Sequence, residues 1–91
     1  MKGLSYDPAK RAVTLEMRGL DFEEAPEVFS GITFDRRDDR RDYAEERFIT
    51  IGRLRSRMVV LVWTPRDGKR HIISMRKAND REQDLYRDAL D

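Results

Sequence analysis

The most continuous apolar stretch of the chain is Met58-Val59-Val60-Leu61-Val62-Trp63-Thr64. It is rich in β-branched residues and too short for a typical helix, so it predicts a strand buried on both faces at the centre of a sheet. His71-Ile72-Ile73-Ser74-Met75-Arg76-Lys77 predicts its hairpin partner. Between them, Pro65-Arg66-Asp67-Gly68 carries turn chemistry, because Asp67 and Gly68 both tolerate positive φ. Alternation along the second strand sets Ile72, Ser74 and Arg76 on one face and His71, Ile73, Met75 and Lys77 on the other.

The flanking segments change period. Leu4-Ser5-Tyr6 predicts a short edge strand, and Asp7-Pro8 an N-cap with proline at the first helical position. Ala9, Val13, Met17 and Leu20 then recur at helical spacing as an apolar stripe, ended by Gly19 as a left-handed cap. Asp21 opens a second, shorter helix with Glu24 as capping-box partner and Phe22, Ala25, Val28 and Phe29 as its buried face. Pro26 requires that this helix be kinked or begin late. Ile32-Thr33-Phe34 is a weak strand. Phe48-Ile49-Thr50-Ile51 is a stronger one, broken or bulged at Gly52, and Arg53 to Arg57 reads as a charged turn. Asn79 caps a last helix with Glu82 closing the box, and Glu82, Tyr86 and Leu90 share one face. The order β-α-α-β-β-β-β-α predicts one α+β domain over residues 1–91, a small antiparallel sheet with helices on one side.

Charge sharpens this picture. The net charge is only +1, but residues 47–77 carry nine basic side chains against Asp67 alone, while the segments on either side are net acidic. Fifteen of the nineteen basic residues are arginine, whose planar fork matches phosphate bidentately. A basic strand block points to a polyanion; the plain alternative is that these arginines pair with the acidic ends of the chain. The run from Arg36 to Arg47 holds five arginines and five acidic residues and reads as a solvated, internally paired connection. With no cysteine, a single histidine and no glycine-rich phosphate loop, the chain predicts neither a metal site nor a bound cofactor. No apolar run approaches a membrane span and the N-terminus lacks a signal-peptide core, so a cytoplasmic location is expected.

What remains is arginine, lysine, tyrosine and carboxylates around a sheet, an inventory suited to RNA cleavage. There the substrate's own 2′-hydroxyl is the nucleophile, and the protein chiefly positions the backbone and stabilises charge on the phosphate. Arg76, at the end of a mostly apolar strand, reads either as a phosphate clamp or as a surface arginine paired with Glu82 or Asp80. By position alone, Tyr86 reads more readily as a core aromatic with a wet hydroxyl, and His71 as a structural or surface residue rather than a catalyst.

The segments Tyr6-Asp7-Pro8-x-Lys10, Gly19-Leu20-x-Phe22-x-x-Ala25-x-x-Val28-Phe29, Asp39-Arg40-x-x-Tyr43-x-Glu45-x-Arg47, Ile51-Gly52 and Ile72-Ile73-Ser74-x-Arg76-Lys77-Ala78, with Glu82-x-x-x-Tyr86 after them, resemble the BrnT toxins over nearly the whole chain. The resemblance implies a RelE-like fold and a growth-slowing endoribonuclease that works without metal. It also implies a BrnA-like ribbon-helix-helix antitoxin that neutralises the toxin and binds operator DNA. It places Arg76 and Tyr86 in the active site, followed by Arg66, Glu82 and His71. Lys69, Arg70 and Lys77 would then hold the RNA backbone. The chain departs from the family at Thr14, at Met17-Arg18 before Gly19, at Pro26, and at His71 before Ile-Ile-Ser. Those departures motivate the alternative of a degenerate homologue serving as antitoxin partner and co-repressor. A third reading is a plain nucleic-acid-binding domain, with salt-dependent RNA binding of low specificity.

Overall fold

A computed structural model describes residues 3–91. The elements run β1 (Leu4–Tyr6), α1 (Pro8–Arg18), a 3₁₀ turn (Phe22–Glu24), α2 (Ala25–Ser30), β2 (Phe34–Arg37), β3 (Phe48–Leu54), β4 (Arg57–Arg66), β5 (Lys69–Lys77) and α3 (Asp80–Leu90). The strands form one sheet in the order β1-β5-β4-β3-β2. All neighbours are antiparallel except β1, which lies parallel to β5. This is the expected α+β class, with β4 in the centre.

The hairpin is tighter than its four-residue signature suggested. Arg66 pairs with Lys69, leaving Asp67 and Gly68 as a two-residue turn with φ of 54° and 74°. Positive φ at both positions matches the right-handed twist of the flanking strands. The β3–β4 connection uses the same geometry without glycine, at Arg55 and Ser56. Arg53 and Arg57 therefore belong to strands. The strained turn is clamped from α2 and the 3₁₀ turn before it: the Arg55 amide donates to Glu27 at 2.9 Å and its guanidinium pairs with Glu24. Gly52 does not interrupt β3. A Cβ there would lie 2.7 Å from Val28 Cγ1, so the glycine lets α2 approach the sheet.

Two clusters fill the two faces of the sheet. Val59, Leu61 and Trp63 of β4 face Leu20, Phe22, Ala25 and Val28. Met58 and Val60 face the other way, meeting Ile49, Ile51 and Leu90, with Tyr86 packed against them. The expectation of helices on one side is thus corrected: α3 covers the face opposite α2. A sheet whose central strand is apolar on both faces needs cover on both.

The face assignment along β5 also changes. Val62 pairs with Ser74 but Trp63 with Ile72, so Ile73 is an extra residue in the ladder. The bulge shifts the alternation. Ile72 and Met75 both enter the α2-side core, while Ser74 and Arg76 stay on the α3 side.

The caps predicted at Asp7, Gly19 and Asn79 form, but the Asp21–Glu24 box does not. Asp21 accepts from the Glu23 amide and opens a 3₁₀ turn instead of α2, and the Glu24 carboxylate is drawn off to Arg55. Asp7 accepts from the Ala9 amide and Gly19 ends α1 at φ 67°. Asn79 and Glu82 make a reciprocal capping box. Pro26 sits in the first turn of α2, where no amide donor is required, so the helix begins late rather than kinking. The stripe on α1 meets a different fate from the one its spacing suggests. Leu20 is buried, but α1 itself contains no buried residue, and Val13 and Met17 are 59% and 76% exposed.

Candidate RNA-binding cleft

On the α3 side of the sheet, Ile49, Ile51, Val60 and Val62 floor a cavity of about 250 Å³. Its rim is arginine. Arg76 comes from β5, Arg36 from β2, Arg40 from the segment after β2, and Arg81 from the first turn of α3. Glu82 is the single carboxylate among the lining residues. Four guanidiniums around an apolar floor make the site electropositive, with Arg36, Arg40 and Arg81 exposed and Arg76 half-buried.

Arg76 is held end-on. Its Nη1 and Nη2 donate to Glu82 Oε1 and Oε2, both at 2.7 Å. The same Glu82 accepts from the Asn79 amide at 2.9 Å, so the cap of α3 fixes the carboxylate that fixes the arginine. Arg76 raises its partner's acidity: hydrogen bonding to the guanidinium holds Glu82 at about 2, well below the ordinary carboxylate value. Glu82 is therefore ionised at neutral pH and acts as an acceptor and orienter. A guanidinium has five N–H donors, so this fork leaves Arg76 others for a phosphate.

Arg40 is held by a different carboxylate. Asp38 is 3% exposed and accepts from Arg40 Nε at 2.7 Å and Nη2 at 2.8 Å. Tyr43 Oη donates to the same group at 3.3 Å, and these contacts, the Arg40 fork foremost, hold Asp38 at about 2. Arg36 and Arg81 make no ion pair among the described residues. Tyr86 lines the cleft with its ring packed on Phe34 of β2, centroids 5.1 Å apart.

Of the residues singled out in the sequence, Arg76, Glu82 and Tyr86 converge here. The others lie elsewhere. His71 is about 15 Å back along β5 from Arg76. Its Nδ1 lies 2.9 Å from Ser5 Oγ, and partial burial, aided by Arg66, lowers its pKa below 6.5. Arg66 pairs with Glu45 at 3.0 Å beside the hairpin turn, and Lys69 is exposed opposite it. Arg70 lies on the α2 side, its guanidinium 4.0 Å from the Phe29 ring centroid and 5.2 Å from that of Trp63. Lys77 lines a separate shallow hollow with Arg53 and Arg57.

Sequence reading missed Arg36, Arg40 and Arg81. The charge pattern of the run from Arg36 to Arg47 predicts a solvated connection, yet Arg36 is in β2 and Asp38 is buried. The signal was present in the Asp39-Arg40-x-x-Tyr43 segment. Among the described residues, no group of three or more histidine, aspartate or glutamate side chains converges as metal ligands would.

A family model described as "Ribonuclease toxin, BrnT, of type II toxin-antitoxin system" matches residues 6–82. The chain belongs to the BrnT toxin family. BrnT is a ribonuclease toxin, and a type II toxin has an antitoxin as partner. In this BrnT chain four arginines converge on the cleft. Arg36, Arg40, Arg76, Arg81 and Glu82 all fall inside the matched segment, and Tyr86 lies just beyond it. No curated protein matches the chain. No helix among the described residues is long and apolar enough to cross a membrane.

Proposed function

We propose that this BrnT chain is an endoribonuclease that cleaves RNA in the cleft between α3 and the sheet, by attack of the substrate's own 2′-hydroxyl. The observation that carries the reading is Arg76, locked by Glu82 and the α3 cap with donors to spare, among three further arginines. In-line attack builds charge on the phosphate oxygens. Fixed guanidiniums over an apolar floor stabilise that charge without reorganising. Arg76 and Arg40 contribute most, because carboxylates already hold their orientation. Arg36 and Arg81 bind the flanking backbone. The 2′-oxygen bonds to phosphorus as the bond to the 5′ oxygen breaks, leaving a 2′,3′-cyclic phosphate. The hydroxyl proton passes to water, and Tyr86, which lines the cleft, gives a proton to the leaving 5′ oxygen and regains one from water. Glu82, held at about 2, orients Arg76 rather than donating a proton. The chemistry needs no metal, since arginine supplies the positive charge. His71, Arg66, Lys69 and Arg70 stand outside this cleft; they can contact only a longer RNA that reaches the hairpin.

A BrnA-like ribbon-helix-helix protein is the partner we assign, with operator DNA contacted through it. The cytoplasm, where RNA and such a partner occur together, is the corresponding location. The second reading, a binding partner without catalysis, is favoured by the distance of His71 from Arg76. Long RNA incubated with the purified protein, without ribosomes or added metal, separates the two. Cleavage by wild type and not by a folded Arg76→Ala variant is the expected result. Equal cleavage by both would remove Arg76 from the site. Cleavage by neither, with or without added ribosomes, would favour the binding-partner reading.

A further inference from the structure

Helix α1 is attached by polar contacts and keeps its apolar stripe for something else. Arg11 forks onto Asp21 at 2.7 and 3.0 Å, and Arg18 Nη1 donates to the Met75 carbonyl of β5 at 2.9 Å. Neither contact covers Val13 or Met17, which remain among the most exposed large apolar side chains of the described residues. Beside them runs a groove of about 750 Å³ between α1 and the bulged part of β5. Ala9, Val13, Met17 and Ile73 supply its apolar surface, and Lys10 and Arg18 are its only charged lining residues.

The lining selects the occupant. A second copy docked symmetrically, groove to groove, would set Lys10 and Arg18 against the same cations. An RNA strand would satisfy the cations and leave the stripe in water. A protein segment with apolar anchors and acidic flanks satisfies both. The groove also adjoins the arginine cleft, since Ser74 lines both.

We propose that this groove is the docking site of the antitoxin. An amphipathic segment of that partner seats its apolar side chains on Ala9, Val13 and Met17. Its acidic side chains then pass over Ser74 to cover Arg76 and its neighbours. Inhibition follows from occupancy of a surface next to the cleft, with the cleft's own residues left in place. The proposal rests on the reading that this toxin is paired with an antitoxin.

The probe is the purified antitoxin encoded by the reading frame adjoining that of the toxin, titrated calorimetrically against wild type, the double variant Val13→Asp/Met17→Asp, and Ile32→Asp. Ile32 is a control, exposed to 63% and away from the groove. The double variant should bind about a hundredfold more weakly or worse, and Ile32→Asp should stay within about threefold of wild type. Both should melt with wild type and cleave RNA at the wild-type rate, and the antitoxin should no longer block cleavage by the double variant. Unchanged antitoxin affinity in the double variant would overturn the proposal. So would lost RNA binding with antitoxin affinity intact, which would make the groove part of the RNA path. Failure of wild type to bind this antitoxin would instead refute the pairing on which the proposal rests.

Discussion

Arg76 and Glu82 join one arginine of the proposed site to the cap of α3. Truncating Arg76 removes a charge-stabilising donor from the cleft, and Arg76→Ala should lower the cleavage rate by about 10²–10³-fold, measured in single-turnover assays on the folded variant. Glu82→Gln keeps the capping box, since glutamine serves at that position, but removes the charge that neutralises Arg76. It should tighten binding of a non-cleavable RNA and steepen its salt dependence; weaker binding would show that Glu82 is needed to aim the guanidinium. His71 makes an opposite contribution. Its pKa is lowered in the fold from 6.5, chiefly by burial, so the folded state favours the neutral ring. The stability it contributes is complete above 6.5 and is lost as pH falls below that value. Replacing His71 with asparagine should flatten stability between pH 7 and 5 while leaving cleavage of short RNA unchanged. Kinetics that lose a step in this pH range would place His71 in the chemistry.

At the scale of elements, two positions tie the helices to the sheet. Gly52 lies where α2 comes closest to β3, and Gly52→Ala would force its Cβ to 2.7 Å from Val28 Cγ1 and 3.2 Å from Thr33 Cγ2. Overpacking of that kind should cost about 1–3 kcal/mol in denaturant unfolding. Asn79→Ala removes a cap worth about 1 kcal/mol, and because Glu82 belongs to the same box it should also loosen Arg76 and lower activity. Element existence was well marked in the residues. The Asp67-Gly68 turn, the Asp7-Pro8 and Asn79-x-x-Glu82 starts and the Gly19 stop are local signals, fixed by φ preferences and capping hydrogen bonds. Strand faces were less legible. The extra residue at Ile73 reverses the face of Ile72 relative to Arg76, and nothing in the Ile-Ile-Ser run distinguishes a bulge from a regular ladder. The partners across β4 impose it.

For the whole molecule, charge organisation sets the expected acid stability and the RNA affinity that the proposed function requires. Glu82 and Asp38 are both held at about 2, below ordinary values of 4.5 and 3.8. Their folded pKa values lie under the unfolded ones, so their stabilisation is present above the ordinary range and is lost as pH falls toward 2. Unfolding midpoints measured from pH 5 to pH 2 should fall steeply, and Glu82→Gln should remove part of that slope. The basic strand block resolves into separate surfaces. Arg70 and Lys77 lie apart from the cleft, and Arg66 is paired with Glu45. Short RNA should therefore sense mainly Arg36, Arg40, Arg76 and Arg81. Neutralising Arg36 or Arg81 should each reduce the slope of log affinity against log salt by about 0.7.

The residues by themselves determined the α+β class, the central hairpin, the caps and the family, because each depends on local backbone preference or on an ordered set of short motifs. They also marked Arg76, Glu82 and Tyr86, two of them on one face of a helix four residues apart. Only the tertiary structure decided which side of the sheet α3 covers, that Asp38 is the buried carboxylate of its run, and that Arg36, Arg40 and Arg81 join Arg76. An apolar stripe or a charge run states what a surface is made of. Whether it is covered depends on which other segment reaches it, and for α1 no described segment of this chain does.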